Sequence, residues 1–134
     1  MKTLLTVTAG IELGAGLALL CWPSAVVVLL LGSPLDAPAA VTLGRVAGAA
    51  LLALGVACWL ARGDAQGRAA RGLVAAMLVY NVGAVVVLGA AGIWSRRVGI
   101  ALWPAVVLHA AMAAWCIACL GRRPPASAGI EPIA

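Results

Sequence analysis

The feature that most limits what this chain can become is a set of long runs almost empty of charge. Residues 41–60 hold a single charged side chain, Arg45, while residues 72–93 and 98–120 hold none. A bilayer core about 30 Å thick is crossed by roughly 20 apolar residues in a helix, so each of these runs predicts one span. The stretch 3–31 is also apolar, but at about 1.5 Å per residue it would exceed 40 Å as one helix. Pro23 lacks a backbone donor and suits the first turn of a new helix. The reading is therefore a first span over 4–22, followed by a short surface or re-entrant helix over about 23–31. The alternative is one long kinked helix. The expected fold class is all-α: a four-transmembrane-helix bundle, residues 1–121, with a short extra helix after the first span.

Composition excludes the main competitors. Hydrophobic residues make up 65% of the chain and charged ones 10%, far too little polar surface for a soluble domain of 134 residues. The net charge of +5 would suit nucleic acid only if the basic residues formed a stripe with interleaved aromatics, and they do not. A nucleic-acid partner is not expected; the lipid bilayer is. The opening "MKTLLTVTAGIELGAGLALL" lacks a small-residue cleavage site, and Glu12 interrupts its apolar core, so it is read as a retained span.

The basic residues instead read as topology signals. With four spans, Lys2, Arg62, Arg68, Arg71, Arg122 and Arg123 fall on one side, and only Arg96 and Arg97 fall in the loops of the other. Positive loops stay inside, so both termini are expected in the cytoplasm. Trp22, Trp94 and Trp103 near the outer ends, and Trp59 near the inner end, fit interfacial anchors. The end, 122–134, rich in Pro, Ala and Gly, reads as a disordered cytoplasmic tail.

Against this background the polar residues stand out. Glu12, Asn81 and His109 fall close to the midpoints of their spans and Tyr80 is beside them, with Arg45 about one and a half turns outward on span two. Ionisable groups at membrane depth are costly, and normally face the bundle interior and pair. Two arrangements satisfy this. In a closed network, Arg45 neutralises Glu12 while Tyr80, Asn81 and His109 bond across helices. In a working site, Glu12 or His109 titrates and Tyr80 and Asn81 orient a ligand.

Small residues at Gly10 and Gly14, and at Gly44, Gly48 and Gly55, predict close helix packing, with homodimerisation through one such face as an option. His109, Met112, Cys116 and Cys119 share one helical face, with Cys58 at a similar depth on span two. Soft ligands there could hold a metal, or "CIAC" could be a redox pair. Buried cysteines in lipid are more often packing residues. No metal and no cofactor is expected, with Cys58, Cys116 and Cys119 the only metal-ligand candidates. The motifs of phosphate loops, zinc proteases and serine hydrolases are missing.

The early "GAGLALLCWPSAVVVLLLG", the "GRVAGAALLALG" that opens span two with Arg45 and Gly48, and the short loops resemble the small four-helix bacterial membrane proteins of the DoxX-like type. The resemblance covers nearly the whole chain and implies a bacterial cytoplasmic (inner) membrane location. It also implies a role as a membrane subunit of thiol-redox or thiosulfate:quinone assemblies. It carries no catalytic residue over to a position here. The place of Glu12 is similar to the membrane glutamate of helix one in the small multidrug-resistance transporters, although their aromatic-rich pocket is missing and Arg45 and His109 are added. The expected function is an accessory or interaction subunit without its own catalysis, bound to another membrane protein or to copies of itself. The alternative is a small-solute, proton-coupled or lipid/quinone-binding protein centred on a buried Glu/His site. A solid centre with Glu12 on Arg45 would favour the first, and an internal cavity the second.

Overall fold

The computed structural model describes residues 1–95 and 98–122. Five α-helices follow in order: α1 (Lys2–Cys21), α2 (Pro23–Leu31), α3 (Pro38–Ala61), α4 (Arg68–Trp94) and α5 (Leu102–Gly121), with a 3-10 turn at Arg62–Asp64 between α3 and α4. Among the described residues there is no strand. All helices but α2 are long and apolar enough to cross a membrane, as the four apolar runs predict. Arg96, Arg97, Arg123 and the rest of the expected tail lie outside the described residues.

The chain breaks at Trp22, where φ −131° and ψ 58° interrupt the helix, and α2 begins on Pro23. Two separate helices therefore replace the single kinked alternative. The end of α2 is closed by Gly32 at φ +75°, a left-handed cap that a side chain rarely adopts.

The bundle is made of two antiparallel pairs. α1 lies along α3 and α4 along α5, and the contacts between the two pairs are sparse. The α1–α3 seam is set by glycine. A Cβ at Gly48 would stand 2.6 Å from the Leu20 amide nitrogen and 2.8 Å from the Gly16 carbonyl oxygen, so the backbones meet with no side chain between them. The partner on α1 is Gly16, whereas Gly10 and Gly14 have open space where a Cβ would go. Gly48 and Gly55 on α3 meet α1 as their spacing suggested, but on α1 spacing pointed to the wrong glycines, because its buried face carries Leu5, Ala9, Glu12 and Gly16, which turns Gly10 and Gly14 outward.

Hydrogen bonds to open helix-end carbonyls hold the bundle at both ends. Near the termini, the Arg71 guanidinium on α4 donates to the Leu120 carbonyl at 3.0 Å and the Arg122 carbonyl at 3.3 Å, satisfying acceptors that the end of α5 leaves open. At the opposite end the amides of Gly99 and Ala101 donate to the carbonyls of Leu30 (3.0 Å) and Leu29 (2.9 Å), the unpaired acceptors of α2. This strap explains why α5 starts at Leu102 and not at 98 as the hydropathy suggests. The amides of Gly99 and Ala101 are committed to α2, and Gly99 sits so close to the Leu29 carbonyl that no side chain fits.

Packing is uneven along the bundle. Leu4, Leu5, Ala9, Cys58, Ala70, Val74, Met77, Met112, Cys116 and Cys119 form one buried cluster in the half nearest the N-terminus and the 3-10 turn. Among the described residues the half nearest α2 has no comparable cluster. There the two pairs flank an open volume.

Candidate functional site

That volume is a cavity of about 800 Å³, partly open to the outside, bounded by all five helices. Its walls are almost wholly apolar: Leu19 from α1, Leu29 and Leu30 from α2, Leu51 from α3, Val87 and Leu88 from α4, Ala105 and Leu108 from α5. The polar exceptions are Glu12, Tyr80 and His109. All three lie at the end of the cavity that meets the solid half of the bundle, where the layer of polar residues expected from the sequence falls.

Each is positioned by the helix that carries it. Glu12 sits on the buried face of α1 and is only 3% exposed. Its polar neighbour is the Tyr80 hydroxyl, which is set to donate to the carboxyl. Successive residues of a helix point about a quarter-turn apart. Tyr80 therefore turns to the cavity while Asn81, 2% exposed, turns to α5. The Asn81 amide nitrogen donates to the Met77 carbonyl at 2.7 Å, one turn back on the same helix. Its side-chain oxygen lies 2.8 Å from His109 Nδ1. The Tyr80 and His109 rings pack edge to face, with centroids 5.5 Å apart and planes at 84°.

This chain of contacts sets the histidine tautomer. The Met77 carbonyl can only accept, so it takes the NH₂ of Asn81 and leaves Oδ1 toward the ring; Nδ1 must then carry the hydrogen and donate. In the neutral ring Nε2 is left with a free lone pair. Nε2 makes no hydrogen bond among the described residues, and no buried side-chain polar atom there lacks a partner, so Nε2 opens onto accessible space. His109 is half-buried and is one of the residues lining the cavity. The histidine has one nitrogen fixed to the bundle and one without a partner among the described residues.

Arg45 does not belong to this group. It is exposed on α3 and makes no ion pair with Glu12. The cause is register. The seam sets Gly16 against Gly48 and Leu52, and Leu13 against Gly55, which puts Glu12 level with the region around Gly55. Arg45 lies about ten residues further along α3, roughly 15 Å away at the usual helical rise. Counting depth from the ends of separate spans missed this offset.

The sulfur stripe lies on the solid side of the polar layer. Cys58, Cys116 and Cys119 are buried free thiols, with Cys58 and Cys116 neighbours across the bundle. Among the described residues no group of three or more His, Cys, Asp or Glu side chains is arranged to hold a metal, so these cysteines do not form the ligand set that their spacing allowed. His109 is bonded to Asn81 instead.

The structure brings Glu12, Tyr80, Asn81 and His109 together, as their depth in the sequence suggested. The cavity beside them has no signal in residue size, since Leu19, Leu51 and Leu88 line it along with Ala47 and Gly83. No protein-family model, curated protein or solved structure matches this chain.

Proposed function

We propose that this chain is a multi-pass protein of the bacterial cytoplasmic membrane, with both termini in the cytoplasm, that acts by binding a lipophilic small molecule inside its bundle. The observation that carries the reading is the 800 Å³ apolar cavity ending on Glu12, Tyr80 and His109. Ligand sites are typically clefts of about 300–1,000 Å³ with apolar walls and a few converging polar groups. A solid centre with Glu12 neutralised by Arg45 would have favoured the alternative, a subunit with a closed polar network; the exposure of Arg45 and the open cleft beside Glu12 favour binding instead. The six basic residues on the side of the termini support the orientation. The resemblance of the layout to DoxX-like proteins supports the bacterial membrane.

Native mass spectrometry of the protein released from nanodiscs tests the binding. Wild type retains a lipophilic adduct that Gly83→Leu loses, since the space beside Gly83 is empty and a leucine there occupies part of the cavity. Equal adducts on both proteins, or none on either, contradict the proposal.

A further inference from the structure

The cavity is shut at two ends and open at its side. The buried cluster around Met77 closes one end, and α2, held by the strap of Gly99 and Ala101, covers the other. Val79, Gly83 and Val87 follow at one-turn intervals along α4 and line the cavity, yet Val79 is 73% and Val87 67% exposed. They lie near the middle of a helix long and apolar enough to cross a membrane, so this rim faces hydrocarbon. A ligand passing the rim arrives from the bilayer core, where a charged group is costly. The route selects uncharged lipophiles.

The polar end selects among them by hydrogen bonding. The Tyr80 hydroxyl commits its hydrogen to Glu12, and His109 Nδ1 commits its own to Asn81. The capacity left over on these cavity-lining residues is mostly acceptor: Nε2 of His109, the Tyr80 oxygen and the Glu12 carboxyl oxygens. Among the described residues no Lys or Arg lines the cavity to donate to them. An ether, ester or ketone brings acceptors only and leaves Nε2 unsatisfied, which costs free energy in an apolar site. A hydroxyl supplies the missing donor and brings no charge.

We propose that the cavity takes an uncharged lipophile bearing a hydroxyl group, which enters sideways past Val79 and Val87 and donates to His109 Nε2. This rests on the binding function proposed above and narrows its ligand class. The test compares two isomers on the full wild-type chain in nanodiscs, 1-dodecanol and 1-methoxyundecane, which differ in having and lacking a donor. Saturable binding of each radiolabelled probe is measured above empty nanodiscs. Dodecanol should bind about three- to tenfold tighter than the ether, the usual net worth of one hydrogen bond. His109 is the chain's one histidine, so nitrogen-15 labelling of histidine gives a single imidazole to follow by NMR. Saturation with dodecanol should move the Nε2 resonance to lower frequency, as an accepted hydrogen bond does, while the ether leaves it in place. Equal binding of the two isomers, or an Nε2 resonance unmoved at saturation with dodecanol, overturns the hydroxyl assignment and leaves the cavity as a general lipophile site. No saturable binding of either probe overturns both this inference and the binding function.

Discussion

Adding one methyl group at Gly48 probes the architecture at its tightest point. The Cβ of Gly48→Ala would stand 2.6 Å from the Leu20 nitrogen, and ordinary contact begins near 3.4 Å, so α1 and α3 must part by about 0.8 Å. Neither partner atom can swing away, because both are backbone. Over-packing of this kind typically costs about 1–3 kcal/mol, and alanine's better helix propensity returns about 1 at most. The control is Gly10→Ala on the outward face of α1, where nothing lies within 4 Å of the new atom and only the propensity gain applies. The two variants should differ by about 1–3 kcal/mol, with Gly48→Ala the less stable. Reversible unfolding in mixed micelles, followed by circular dichroism and tryptophan fluorescence, measures the difference. Equal stabilities, or a more stable Gly48→Ala, would refute the seam and with it the register that separates Arg45 from Glu12.

Four further outcomes are expected. His109→Leu should destabilise the bundle by about 1–3 kcal/mol, because the buried Asn81 oxygen loses its donor, whereas His109→Gln keeps one and should melt close to wild type. In a double-mutant cycle, Glu12→Gln and Arg45→Gln should be additive within about 0.5 kcal/mol; a larger coupling would mean that the two side chains meet. Gly99→Ala should cost about 1–3 kcal/mol by pushing the strap off α2, seen as faster amide exchange at Gly99 and Ala101. A periplasm-active reporter fused after Ala134 should stay silent, and strong activity would reverse the orientation.

How much of this was readable from residues alone follows from which forces act within a single segment. Lipid forces every backbone polar group to be satisfied inside its own helix, so apolar length and a proline such as Pro23 were enough to place four spans and α2. The depth of Glu12, Asn81 and His109 was readable for the same reason, since position within a span translates directly into depth. Relations between helices were not. The pairing of Gly16 with Gly48 depends on the register of two antiparallel helices, and that register carries Arg45 away from Glu12. The start of α5 depends on a backbone strap to α2 that hydropathy does not encode. A cavity is a property of unfilled space between helices, which no single segment encodes.

The central claim is that a lipophile reaches Glu12, Tyr80 and His109 from within the bundle. Photolabelling the protein in nanodiscs with adamantyl diazirine, then mapping the modified residues by peptide mass spectrometry, tests it most directly. The account predicts saturable modification at Glu12, Tyr80 and Ala105, reduced by excess lipophile and by Gly83→Leu, over a weak unsaturable background at outward-facing Leu43 and Leu60. Labelling confined to Leu43, Leu60 and similar outward positions, with Glu12 and Tyr80 untouched at every probe concentration, would contradict it.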